Sequence, residues 1–293
     1  LGNQLFQYAA GWSLANRVGA RLLIDVSEIR KDPNRNFELD SFSSCFDYVE
    51  ESGSRRVLVE LSTRHLLAKA TAAIQKLERR DQKRLDHSFL HQAIGTDGNR
   101  AIYLNGYLQS WKYFDFGDHF ESLKLQINNI ANPTKWFETQ SERFDKIENS
   151  VAVHVRRGDF QANPYMGITQ GSYYRRALEL LERQVGEVTV VLFSDSHEIL
   201  TSPTLLEGWG NRIIPVFPPA ESRAIESLVL MSKCRHIVMA NSSFSWWGAW
   251  LGDSPEKNVI YPRPWLAGAY VDDRDFALSN WVSVAGFPDE PLA

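Results

Sequence analysis

After residue 150 the chain settles into a rhythm that leaves few folds open to it. Short, almost wholly apolar runs recur at Val151–Val155, Val188–Phe193, Ile213–Phe217, His236–Ala240 and Asn258–Tyr261. Stretches with helical spacing, at Ser172–Gln184, Glu221–Ser232 and Ser243–Leu251, separate most of them. Strands with no polar face must be covered on both sides, and a parallel sheet with crossover helices does this. The second half therefore reads as a doubly wound parallel α/β domain. Ligands in such domains sit beyond the carboxyl ends of the strands, so the residues following Val155, Phe193 and Ala240 carry the most weight.

The first half is less regular. Leu5, Tyr8, Ala9, Trp12 and Ala15 recur at steps of three and four, which predicts a helix over Gln4–Ala15 with Gly2 and Asn3 at its start. Gly19 ends it, and RLLIDV (Arg21–Val26) reads as a buried strand. Lys31–Asn36, with Pro33, is a loop. Val57 to about Leu77 is long and partly amphipathic, and the mixed charges of Lys76–Arg84 suit a solvated helix face. Their arginines and lysines leave open a peripheral contact with an acidic membrane. A strand is expected at Ala101–Leu104 and helices at Phe120–Ile127 and Trp136–Ile147. At ~150 residues per domain, 293 residues suggest two, with the boundary after Asn149 and Ser150. The domains are thus an N-terminal α/β domain, 1–149, and a C-terminal one, 150–293.

Composition closes off several classes. With 43% hydrophobic and 23% charged residues the chain is neither disordered nor a small disulfide scaffold. A net charge of −4 gives no surplus for gripping a nucleic acid, so no nucleic-acid partner is expected. Cys45 and Cys234 lack metal-site spacing, and a chain of this length does not need a disulfide between them. No run reaches the ~18 apolar residues of a membrane span, which makes cytoplasmic residence the expectation. The sequence starts at Leu1 without a Met, which leaves open that first residues, and any targeting or anchor segment they held, were cropped.

The strongest candidate site is HVRRGD, His154–Asp159. Two adjacent guanidiniums at a strand terminus are costly to desolvate without an anion, and a diphosphate offers acceptors matching their donor forks. Alternation along the strand puts His154 and Arg156 on one side and turns Arg157 away, so one arginine can clamp phosphate while the other braces a carboxylate. Gly158 is read as permitting a sharp turn, and Asp159 as a base or as a partner orienting Arg157. The plain alternative is a surface loop held by salt bridges.

Other segments are weaker. Gly2, Asn3 and Gln4 could present helix-start N–H groups to phosphate, or Asn3 could simply cap the helix. Asp195 in FSDS closes a strand where it could accept from a guanine edge or a ribose, or cap a helix. In NSSFSWWGAW, Ser242, Ser243 and Ser245 offer an anion pocket at a helix start. Trp246, Trp247 and Trp250 suit core packing better than a sugar face. His236 reads as a core histidine, and the acidic run Val271–Asp275 as a solvated turn. Zincin, α/β-hydrolase and Walker motifs are absent from the sequence. If the substrate carries a leaving diphosphate, the two arginines and the helix ends would have to neutralise it instead of a metal.

LGNQLFQYA at the start, GYLQSWKYF (Gly106–Phe114), HVRRGD, FSDS, LMSKCRHIVMANSSFSWWGAWL and IYPRPW follow one another in an order that resembles the α-1,2-fucosyltransferase family, glycosyltransferase family 11, over nearly the whole chain. The resemblance implies a GT-B-like enzyme of two facing Rossmann-like domains, with the acceptor on the N-terminal side. GDP-fucose would be held mainly by the C-terminal domain, and L-fucose transferred with inversion to the 2-hydroxyl of a terminal β-galactose without a metal. It implies Arg156 on the diphosphate, assisted by Arg157, His154 facing the nucleotide, Asp195 on guanine or ribose, and Ser242 and Ser243 on phosphate. Gly2 and Asn3 match a loop that approaches the donor from the other domain. Two departures stand out: the family's first strand and an extra Gly are missing before Leu1, and its second Asp after FSD is Ser196 here. Another nucleotide-sugar or sulfate transferase, or an inactive glycan-binding protein, would share much of this cradle. Trp111 and Tyr113 are candidates for stacking on the acceptor sugar or for filling a core.

Overall fold

The computed structural model describes residues 1–31, 36–42, 46–49, 56–60, 94–97, 101–105, 107–114, 119–252, 254–268, 271 and 273–287. They form two compact units, residues 1–131 and 132–293.

The first unit opens with α1 (Gly2–Val18), which buries Leu5, Tyr8, Ala9, Trp12 and Ala15 as their spacing requires. Gly19 ends it in the left-handed conformation, φ 65°, its N–H turned back onto Ala15 and Asn16 carbonyls. Next come β1 (Arg21–Asp25), α2 (Ser27–Lys31), β2 (Asp47–Val49), β3 (Arg56–Glu60), β4 (Ile94–Asp97), β5 (Ala101–Asn105) and α3 (His119–Asn128). The sheet order is β2-β1-β3-β5-β4, with β1 and β2 parallel and the other pairings antiparallel. The amphipathic stretch read from Val57 thus begins as a strand, because Val57–Glu60 finds β1 on one side and β5 on the other. The rest of that stretch, the charged run Lys76–Arg84 and Cys45 lie outside the described residues.

The second unit begins with α4 (Lys135–Phe144), then β6 (Ser150–Val155), α5 (Gly171–Val185), β7 (Thr189–Ser194), α6 (His197–Thr201) and β8 (Ile213–Pro215). It continues with α7 (Ala224–Lys233), β9 (His236–Val238), α8 (Ser243–Leu251), β10 (Val259–Arg263), α9 (Asp273–Phe276) and β11 (Val282–Ala285). The unit starts ahead of the boundary read at 149/150 because α4 is fastened to α7. The fully buried Glu226 carboxylate accepts from the Thr134 backbone N–H at 2.7 Å and its hydroxyl at 2.9 Å, at the N-cap of α4.

The sheet of this unit runs β11-β10-β9-β6-β7-β8 with every pairing parallel, the doubly wound arrangement expected. β6 is buried along its whole length, and Tyr173, Ala177 and Leu181 of α5, each four residues on, cover Val151, Val153 and Val155. Topology fixes where a ligand can enter. From β6 the chain builds β7 and β8 to one side, then returns through α7 to place β9 on the other. The crevice at the carboxyl ends of β6 and β9 is therefore the topological switch point. One expectation fails nearby: Asp275, read as part of a solvated turn, is 5% exposed, and Asp273 pairs with Arg263 Nε at 3.0 Å.

Candidate active site

At the end of β6 the arginines are held in place. Arg156 Nη2 donates to Asp159 Oδ1 at 2.6 Å, and Nη1 lies 3.1 Å from Asp195 Oδ2. The Arg156 guanidinium stands 5.4 Å from the ring centre of Phe160, and its Nε is buried without a protein acceptor. The second Asp195 oxygen accepts the Arg157 backbone N–H at 2.8 Å, while the Arg157 guanidinium turns away and donates to the Arg156 carbonyl at 3.0 Å. Asp159 thus braces Arg156, not Arg157 as the sequence reading had it, because the turn of 3-10 helix at Gly158–Ala162 brings positions three apart together. Gly158 opens this tight turn without a positive φ. What it supplies is clearance, since a Cβ there would sit 2.2 Å from Asp195 Oδ2.

His154 shares the side of Arg156, as alternation requires, and is 3% exposed. Its ring lies 5.6 Å from that of Phe244 at the start of α8, and its Nδ1 has no protein partner. Burial, and then the Arg156 charge, pull its pKa from 6.5 down to about 3, so the imidazole is neutral near pH 7. A neutral ring beside a guanidinium adds a hydrogen-bonding atom without adding charge repulsion.

Two tyrosines that the sequence does not single out set the strand ends. Tyr174 OH donates to the His154 carbonyl at 3.1 Å, and Tyr173 OH to the Met239 carbonyl at 2.6 Å, pinning the ends of β6 and β9 to α5. Burial raises both hydroxyls, Tyr174 to about 12, which keeps them protonated donors. Asn241 was also missed as a separate residue. It is 2% exposed, its Nδ2 donates to the Met166 carbonyl at 2.6 Å, and its Oδ1 is buried without a partner. The available signal was an amide placed directly after an apolar strand.

Across the crevice, Ser242 caps α8, its hydroxyl accepting the Phe244 N–H at 3.3 Å, and Ser243 opens the helix half-buried. The first-turn N–H groups and the positive end of the helix dipole thus stand at the end of β9, beside the arginine loop. Ser245 is turned inward, donating to the Ala240 and Ser242 carbonyls. Trp246, Trp247 and Trp250 are buried packing residues, with the Trp246 indole donating to the Phe276 carbonyl at 2.7 Å.

Within the second unit, then, His154, Arg156, Arg157, Asp159, Asp195, Ser242 and Ser243 gather at one sheet edge. Gly2 and Asn3 belong to the first unit, in the opening turn of α1. Asn3 is not a cap: its Oδ1 accepts from Gln109 Nε2 at 2.6 Å, tying the helix to the segment that carries Trp111 and Tyr113. Trp111 and Tyr113 are half-buried, in a 3-10 turn whose Ser110 N-cap accepts from Lys112 N–H. His236 is structural. Its Nδ1 accepts the Asn258 N–H at 3.1 Å, and burial, with Arg235 and Lys257 adding, lowers its pKa to about 4. Cys234 is a buried free thiol. Among the described residues no cluster of His, Cys, Asp and Glu could hold a metal, and no helix is long and apolar enough to cross a membrane.

Residues 1–285 match the family model described as Glycosyl transferase family 11. The chain belongs to glycosyl transferase family 11. This family 11 protein is similar to the O-antigen biosynthesis glycosyltransferase WbnK of Escherichia coli, with 27% identity over 97% of each chain. It is similar to an α-1,2-colitosyltransferase of Escherichia coli, with 26% identity over 97% of this chain and 96% of the relative. A galactoside α-(1,2)-fucosyltransferase 1 of Ateles belzebuth shares 21% identity over 68% of this chain and 56% of its own. Among solved structures, NodZ α-1,6-fucosyltransferase soaked with GDP-fucose aligns with a TM-score of 0.48 at 15% identity, covering 92% of this chain and 93% of that one. The family 11 protein is a glycosyltransferase, and its arginine loop and helix start lie where an open parallel sheet takes its ligand.

Proposed function

We propose that this glycosyltransferase moves L-fucose from GDP-fucose to the 2-hydroxyl of a terminal β-galactose in a glycan, with inversion and without a metal. The observation that carries the reading is Arg156, held by two carboxylates, Asp159 and Asp195, at the switch point. Inversion requires the acceptor hydroxyl to attack the anomeric carbon as the diphosphate leaves from the opposite face. Negative charge then grows on phosphate oxygens. Fixed guanidinium and N–H donors stabilise that charge with little reorganisation, the kind of contribution worth about 3 kcal/mol per donor.

In this mechanism Arg156 meets the diphosphate together with the α8 N-terminus and Ser242 and Ser243, while Arg157 braces the loop through the Arg156 carbonyl. His154 stays neutral and offers its free nitrogen to the nucleotide. Asp195 positions Arg156, and its remaining lone pairs are available to a ribose or guanine donor. Asp159 acts as a brace, leaving a loose transition state to proceed with little base assistance.

A second donor reading is favoured by one comparison: the colitosyltransferase relative matches nearly the full length of both chains. The test is a donor panel with β-galactosides, read by mass spectrometry, with a chelator in parallel. Fucose addition that survives chelation and fails on acceptors lacking the 2-hydroxyl supports the proposal. A product lighter by one oxygen assigns colitose, a deoxy relative of fucose. Sulfate addition, or glycan binding with no release of GDP, would refute transfer of a sugar.

A further inference from the structure

The carboxyl edge of the parallel sheet carries one feature that the phosphate contacts leave unused. Phe217, two residues past the end of β8, is 45% exposed. Its ring centre lies 5.8 Å from that of His197, the first residue of α6, at an interplanar angle of 58°. A lone exposed ring needs no explanation. Two rings that meet at the ligand-bearing edge, just past the ends of the adjacent strands β7 and β8, are another matter. β6, β7 and β8 are consecutive neighbours. The end of β8 therefore lies two strand spacings, about 10 Å, from the end of β6 that bears Arg156. This is comparable to the reach of a ribose between a diphosphate and its base. Asp195 lies between, one oxygen on Arg156 and its chain leading two residues on to His197. Pro218 and Pro219 follow Phe217 and restrict its backbone, which lowers the entropy cost of presenting the ring.

We infer that Phe217, backed by His197, is the platform on which the purine base of the nucleoside-diphosphate sugar stacks. The inference rests on the donor reading above and deepens it: the arginine loop holds the phosphates, and the aromatic pair holds the far end of the nucleotide. Stacking tolerates any base, so Phe217 supplies affinity while the choice of base falls to hydrogen-bonding groups.

Calorimetric titration of the full chain with GDP and with inorganic pyrophosphate tests this, using wild type, Phe217→Ala and Phe217→Trp. Phe217→Ala should weaken GDP binding about tenfold and leave pyrophosphate unchanged, while Phe217→Trp keeps GDP affinity. An exposed position should leave the melting temperature close to that of wild type. Unchanged GDP affinity in Phe217→Ala, or equal weakening of GDP and pyrophosphate, overturns the platform and leaves the arginine clamp standing. A wild-type chain that binds neither ligand overturns the donor reading and the platform with it.

Discussion

Gly158→Ala probes the arginine loop with a single methyl group. The new Cβ would lie 2.2 Å from Asp195 Oδ2 and 3.3 Å from its Cγ, where ordinary contact begins at 3.4 Å. The carboxylate must withdraw by about 1 Å. Because Gly158 does not have a positive φ, the cost comes from this collision and not from an unfavourable backbone conformation. Withdrawal loosens both the 3.1 Å contact to Arg156 Nη1 and the 2.8 Å bond from the Arg157 N–H, so the guanidinium loses one of its two carboxylates. A misplacement of ~1 Å in a reacting assembly costs about 100-fold in rate. Turnover at saturating donor and acceptor is therefore expected to fall about 100-fold in a variant that still folds, as judged by circular dichroism and melting temperature. Asp195→Ala removes the atom that is struck, so adding Gly158→Ala to that background should cost no more than about threefold. A Gly158→Ala enzyme with wild-type turnover, or an equal loss with and without Asp195, would refute the reasoning.

Other outcomes follow from the same geometry. His154 and His236 are held neutral by burial, at about 3 and about 4, against an unfolded value of 6.5. The unfolded chain therefore takes up protons first as pH falls. Their contribution is complete above about pH 6.5 and is lost progressively below it, by about 2 kcal/mol per histidine at pH 5. Urea unfolding at pH 7 and pH 5 measures this, and equal stabilities would contradict the burial of these rings. Glu226→Ala strips the acceptor from the Thr134 N–H and hydroxyl and should destabilise the fold by about 3 kcal/mol, with Thr134→Ala adding little in that background. Asp159→Asn should lower turnover about tenfold through Arg156, with no rescue by azide; recovery with azide would assign Asp159 the role of base.

The parallel sheet was legible because its strands are apolar on both faces. Val151–Val155 and Ser243–Leu251 were placed within a residue of their observed limits. Arg56–Glu60 was not. Its partners, β1 and β5, are remote in sequence, while the residues after it carry helical spacing that masks a short strand. In the site, the chemistry could be read but the pairing could not. Asp195 is 38 residues from Arg157, and nothing local says that its carboxylate closes over Gly158. Alternation did place His154 with Arg156 and turn Arg157 aside. Tyr173, Tyr174 and Asn241 look like ordinary core or cap residues until the strand ends they hold are known.

The central claim is that the Arg156 guanidinium meets the charge that develops as the diphosphate leaves. The most direct measurement is single-turnover transfer from saturating GDP-fucose to a β-galactoside by Arg156→Ala, with folding checked by melting temperature. A rate lower by about 100-fold to 1000-fold in a folded protein is expected. A folded Arg156→Ala protein that transfers within about twofold of the wild-type rate would contradict the claim.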